Sequence, residues 1–310
     1  EVSTATTTGN CQNGICMLGP GKAPHWSLPP AKYLGAKQGS FTGDSKYQPR
    51  HPRCESYFDR MTVPALPQWL ADTALLSPMY TEIEGRLAAT DVCVEEKRKA
   101  HFPTKKPCFR CHSVASHKSV VHAQSELVRR LPRCKTICET GFNRGDSALI
   151  LTTACGKEAN GVSFSLDSRW YTIPGRECSD EGVLTEQRSI TLVEGFTENS
   201  VNDFLGRNFE HDVRCDVVHV DGGKSDSIRK QDLKDLRRVS HNGRLWISDD
   251  VMASCSNSAC TAAQDSMHCL YGVFAEFLAD MSIPMRCFNY SEQGAQCYGS
   301  AHWEALLRQY

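Results

Sequence analysis

Three observations on this 310-residue chain predict an α/β fold with a doubly wound, mostly parallel sheet, an antiparallel C-terminal hairpin and an extended N-terminal arm. From Cys134 onward, short β-rich runs alternate with helical stretches at crossover lengths. The last segment, MRCFNYSEQGAQCYGSAHW (285–303), carries a Gly turn between two strand-like runs, as a hairpin does. Residues 1–50 are rich in Gly, Pro, Thr and Ser, with no apolar period, and make no core by themselves.

The elements follow in order. The arm is taken as residues 1–53 and is expected to run extended over the domain or onto a neighbour. Residues 54–133 read as a helical extension, from LPQWLADTALL (66–76) and MYTEIEGRLAATDVCVEEKRKA (79–100), punctuated by Pro64, Pro67 and Pro78. An amphipathic helix then ends near Pro132. The α/β domain spans 134–310. Its strands are KTICE (135–139), GVSFSLD (161–167), SITLVEG (189–195), CDVVHVDGG (215–223) and GRLWISDDV (243–251). Its helices are DSALILTTAC (146–155), ENSVNDFLGRN (198–208), SIRKQDLKDLRRV (227–239) and CLYGVFAEFLADM (269–281).

Composition excludes some classes. Apolar residues make up 40% and charged residues 23%, with a formal net charge of -1. That balance carries no electrostatic footprint for nucleic acid. No apolar run approaches the roughly 18 residues that span a bilayer. The 16 cysteines are the anomaly. So many, and an even number, predict disulfides and hence a secreted chain or one in the lumen of the secretory pathway. Asn289-Tyr290-Ser291 is a glycosylation sequon.

The stretch ETGFNRGDSA (139–148) carries the chemistry. In an open α/β sheet, ligands bind outside the carboxyl ends of the strands. KTICE delivers Glu139 and Gly141 to that edge. Gly141 permits a tight turn, and Gly145 lets backbone approach a ligand at the start of the next helix. Asp146 and Ser147 are candidate caps for that helix. Asp167 ends the second strand, 22 residues past Gly145, near the roughly 20 at which an acid meets ribose hydroxyls. A third glycine, which a pyrophosphate would need, is missing. S-adenosylmethionine (SAM) has no phosphate, and its cationic groups favour an acid such as Glu139.

ETGFNRGDSA resembles the first motif, E-x-G-x-N-x-G-x-S, of class I SAM-dependent methyltransferases of the catechol and macrocin O-methyltransferase branch. The resemblance covers about 119–310. VVHVDGGKSDSIRKQDL (217–233) is similar to that branch's D-G-x-H-S segment, and NGRLWISDDV (242–251) to its G-G-x-x-x-x-D-D-V segment. It implies a Rossmann-like methyltransferase fold. Cofactor contacts then fall to Glu139, Gly141, Asn143, Gly145, Ser147, Asp167, Phe196 and Asp221. It also implies Mg²⁺ or another divalent cation held by Asp221, Asp249 and Asp250, whose hard oxygens suit that ion. Such an ion would orient an ionised hydroxyl of a small hydroxylated substrate. Lys224, three residues past Asp221, stands at the place of the catechol enzymes' lysine base. The chain departs from the branch at Phe196, where an acid binds adenine, at Lys224 for the D-G-x-H-S histidine, and at Asn242 for the first Gly of the last motif.

Two other readings stand beside this one. A non-catalytic, disulfide-stapled subunit of a secreted or lumenal assembly would use the arm to hold a protein partner. A haem or zinc protein would use Cys108-Phe109-Arg110-Cys111-His112, which matches C-x-x-C-H, with His117 or His122 completing a zinc set.

Overall fold

The structure is a computed structural model that describes residues 15–16, 77–105, 115, 117–166, 172–182, 189–195, 197–208, 214–222, 226–249, 270–291 and 294–307. The strands are β1 (Ile15–Cys16), β2 (Thr136–Thr140), β3 (Asn160–Leu166), β4 (Ser189–Glu194), β5 (Cys215–Val220), β6 (Ser240–Ser248), β7 (Met285–Ser291) and β8 (Gly294–Gly299). The helices are α1 (Pro78–His101), α2 (Lys118–Arg129), α3 (Asp146–Cys155), α4 (Thr172–Asp180), α5 (Thr197–Asn208), α6 (Asp226–Arg238), α7 (Leu270–Asp280) and α8 (Trp303–Leu306).

The strands form one sheet in the order β1-β4-β3-β2-β5-β6-β8-β7. Strands β2 to β6 pair in parallel, and β7 and β8 add the antiparallel hairpin. The doubly wound sheet that the alternating pattern predicts is therefore present. From β2 the chain first winds outward through β3 and β4. It then returns to β2's other side with β5 and β6. The switch point lies between β2 and β5, where a crevice opens at the carboxyl ends of such strands. Of the arm, Ile15 and Cys16 are described. They pair antiparallel with Val193 and Leu192 and cover the edge of β4.

Helices cover both faces, which is why the parallel strands are apolar on both. Cys138, Val162, Phe164, Val218, Val220 and Trp246 face Phe204 of α5, Leu233 and Leu236 of α6, and Phe274 and Leu278 of α7. The opposite face carries Ile137, Val217, Leu245 and Ile247, packed on Leu127 of α2 and Leu151 of α3. α1 and α2 belong to this second layer. Tyr80, Ile83, Leu87, Val120 and Val121 share a cluster with Phe142, Leu149 and Ile150. α1 begins with Pro78 in its first turn, where the missing N–H costs nothing. Its buried Tyr80, Ile83, Leu87, Thr90 and Val94 recur at helical spacing and form one stripe. Among the described residues no helix is long and apolar enough to cross a membrane.

Four disulfides join described residues: Cys93–Cys178, Cys134–Cys155, Cys138–Cys215 and Cys287–Cys297. Cys138 and Cys215 lie wholly inside the core between β2 and β5. Cys287 and Cys297 are direct partners in the β7–β8 ladder. The sequon residue Asn289 pairs with Ala295 in the same hairpin.

Candidate functional site

The turn between β2 and α3 is built on an alternation. Gly141, Asn143 and Gly145 all have positive φ, at 85°, 50° and 86°. Glycine takes that conformation freely and asparagine tolerates it. Between them, Phe142 and Arg144 point inward, 1% and 2% exposed. Gly141 also has a steric reason. A Cβ there would lie 2.5 Å from the carbonyl oxygen of Asp221. The ends of β2 and β5 thus touch backbone to backbone, and Asp221 N donates to Thr140 O at 3.1 Å.

Gly145 occupies the cap position of α3, so neither Asp146 nor Ser147 does. Both sit within the first turn, and the Ser147 hydroxyl is used elsewhere. It donates to Glu139 Oε2 at 2.6 Å. Glu139 is 2% exposed, and its Oε1 has no hydrogen-bond partner among the described residues. A buried carboxylate oxygen without a donor is costly, and such an atom marks where a ligand's donor or cation fits. The sequence-predicted acid, turn glycines, Asn143 and Ser147 therefore meet at one place, at the switch point of the sheet.

The register adds residues that sequence reasoning missed. Glu139 lies opposite Ser163 on β3 and His219 on β5. Ser163 Oγ and both His219 ring nitrogens are buried without hydrogen-bond partners among the described residues. His219 Nδ1 is 3.7 Å from Glu139 Oε2, an ion-pair contact beyond hydrogen-bond length. Burial opposes charging His219, yet Glu139, Asp221 and Asp249 together outweigh it and hold its pKa above the ordinary value. Nothing in CDVVHVDGG marks the histidine; only the pairing of β2 with β5 does.

The carboxylates of the proposed metal site are placed in part. Asp221 and Asp249 directly follow Val220 and Ser248, which are register partners on β5 and β6. Asp249 N donates to Val220 O at 3.3 Å, so the two acids leave adjacent strand ends together. Arg229 lies beneath them, fully buried, with Nη1 donating to Val220 O and to Ser248 Oγ. Two hard oxygen donors at adjacent strand ends suit a divalent cation in kind. Among the described residues no group of three His, Cys, Asp or Glu side chains could hold a metal ion. Asp250, the third acid, lies outside the described residues, as do Lys224, Asp167 and Phe196.

One turn after Arg229 on α6, Asp232 accepts from Thr197 Oγ1 at 2.6 Å, joining α6 to the start of α5. Burial lifts the Asp232 carboxyl above its ordinary range. A Cβ on Gly222 would lie 2.6 Å from Asp232 Oδ2, so this packing holds the segment after Asp221. Cys108, Cys111 and His112 lie outside the described residues. Of the histidines named with them, His117 is exposed, and His122 is buried edge-on to Tyr80 with ring centroids 4.2 Å apart.

No family model matches the sequence, and no curated protein matches it. Solved structures do. One is an O-methyltransferase from Bacillus cereus in complex with SAH, at 12% identity and a TM-score of 0.49, covering 69% of this chain and 90% of that chain. Another is the O-methyltransferase TomG from Streptomyces achromogenes, involved in tomaymycin synthesis, in complex with SAM. It is 18% identical with a TM-score of 0.44, and the match covers 67% of this chain and 89% of that chain. At these identities and TM-scores the likeness speaks to neither ligand nor reaction.

Proposed function

We propose that the chain is a SAM-dependent O-methyltransferase of a small hydroxylated substrate. The observation that carries this reading is the buried Glu139 carboxylate beside the glycine turn, with Oε1 unpartnered among the described residues. Ser147 fixes Oε2 and so orients the carboxylate. The free oxygen suits the ammonium group of SAM, and the N-terminus of α3 suits its carboxylate. Bound SAM supplies a methyl group on a sulfonium, ready for in-line displacement by a nucleophilic oxygen.

The chain's own part is to bind, orient and deprotonate. Asp167 is assigned to the ribose hydroxyls and Phe196 to the adenine face. Asp221, Asp249 and Asp250 are the ligand set for Mg²⁺ or a similar ion, which would hold the substrate hydroxyl in its ionised form. Lys224 is the proposed base that takes the hydroxyl proton. The oxidising compartment, secreted or lumenal, is supported by the four disulfides.

Methyl transfer from labelled SAM to a panel of catechols and other small hydroxylated acceptors, with and without a chelator, tests this. The expected result is transfer that depends on a divalent ion and is lost in Asp249→Asn and Lys224→Ala. A folded chain that neither binds SAM nor transfers methyl to any acceptor would favour the non-catalytic subunit instead.

A further inference from the structure

The glycine turn is held from outside the sheet. Phe142 is packed in a cluster with Tyr80, Ile83 and Leu87 of α1. Arg144 Nη2 donates to Asp91, also on α1, and Arg144 Nε lies 3.7 Å from Asp146. From the third side, α4 presses backbone on backbone. A Cβ on Gly175 would lie 2.6 Å from Arg144 Cα and 2.7 Å from its carbonyl oxygen. α4 is in turn fastened to α1 by the buried Cys93–Cys178 disulfide. Lys97–Glu181 and His101–Glu177 pairs run along the same seam.

We propose that Asp91 is a positioning residue for the cofactor turn, with the Cys93–Cys178 bridge keeping α4 seated against the same residue, Arg144. Helices outside the parallel sheet thereby set cofactor affinity. This rests on the SAM reading of the turn. The physical reason is the burial of Arg144. A guanidinium 2% exposed needs facing carboxylates to offset its lost hydration, and Asp91 is the nearer of the two. Without Asp91, Arg144 turns toward Asp146 or solvent. It then drags Asn143 and Gly145 away from the positive-φ geometry that aims the turn. Asp146 remains as a partial counter-charge, so the altered chain still folds. Loss of the disulfide acts on the same point from α4, by letting Gly175 lift from Arg144.

Calorimetric titration of SAM into the full, oxidised chain tests this, with hydrogen exchange of the amides of residues 141–146 as the second readout. Asp91→Asn is expected to weaken SAM on the order of tenfold, as for the loss of a charge-assisted hydrogen bond, and to speed exchange in the turn. Asp91→Glu restores most of the affinity. The pair Cys93→Ser with Cys178→Ser behaves like Asp91→Asn. The pair Cys287→Ala with Cys297→Ala, in the hairpin at the opposite edge of the sheet, lowers thermal stability and leaves SAM affinity unchanged. A wild-type chain that binds SAM beside an Asp91→Asn chain that binds it equally well overturns the proposal and spares the cofactor reading. A folded wild-type chain that binds no SAM overturns both.

Discussion

Ser147 donates a hydrogen bond from the first turn of α3 to Glu139 on β2, at 2.6 Å. The bond gives the two oxygens of one buried carboxylate different roles. Ser147→Ala leaves Oε2 buried without a donor, and is expected to cost about 1–3 kcal/mol in unfolding free energy. Urea unfolding at neutral pH measures it. An unchanged midpoint and slope would contradict the geometry.

Gly141 and Gly182 both have positive φ, at 85° and 77°, but only Gly141 is crowded. Nothing lies within 4 Å of a Cβ on Gly182. Gly182→Ala should therefore cost only the left-handed penalty of about 1–2 kcal/mol. Gly141→Ala adds overpacking against Asp221, of about 1–3 kcal/mol. Thermal or urea unfolding of the two variants separates strain from crowding. Equal losses would mean that β2 and β5 do not touch as described.

The sheet was legible because its strands and helices alternate and are apolar where both faces are covered. DSALILTTAC coincides with α3 because Gly145 and Gly156 bracket it. TIPGRECSD was not legible as α4, since Pro174 and Gly175 interrupt any apolar period. What fixes that helix is tertiary: Cys178 bonded to Cys93, and Gly175 seated on Arg144. β6 starts at Ser240, earlier than GRLWISDDV suggests, because Ser240 pairs with Cys215 before a register shift. In the site, Glu139 and the turn glycines were readable from spacing. Phe142 and Arg144 were not, because their partners Leu87 and Asp91 come from a helix some fifty residues earlier. His219 stayed hidden for the same reason, since strand register is not written in either strand alone.

Burial lowers the pKa of His122 below its ordinary 6.5; Glu84 opposes the shift and Lys118 adds to it. In the interval below that value the unfolded chain binds more protons than the folded one. Its stabilising contribution is therefore complete above that value and is lost as pH falls through the folded pKa. Wild type should lose stability relative to His122→Phe as pH falls below the ordinary 6.5 toward the lowered folded value. Parallel stability curves for the two chains would place the imidazole in water.

Cys138 and Cys215 are joined 77 residues apart and have no exposure. A loop of that length gives a stabilisation of about 4.5 kcal/mol on the chain-entropy account. Because solvent thiols cannot reach the bond, its reduction should wait on unfolding. Alkylation of the unreduced chain in denaturant, followed by mass spectrometry, should label none of Cys93, Cys134, Cys138, Cys155, Cys178, Cys215, Cys287 or Cys297. Free thiols at these positions would remove the support for an oxidising compartment.

The account turns on Glu139 as the group that holds the cofactor. Calorimetric titration of SAM into wild type and Glu139→Gln asks that question most directly, because glutamine keeps the shape and can still accept from Ser147. The prediction is saturable one-to-one binding by wild type. The variant should lose at least about thirtyfold in affinity, as when one charge of a buried pair is removed. Equal affinity in the variant, or no binding by a folded wild-type chain, would contradict it.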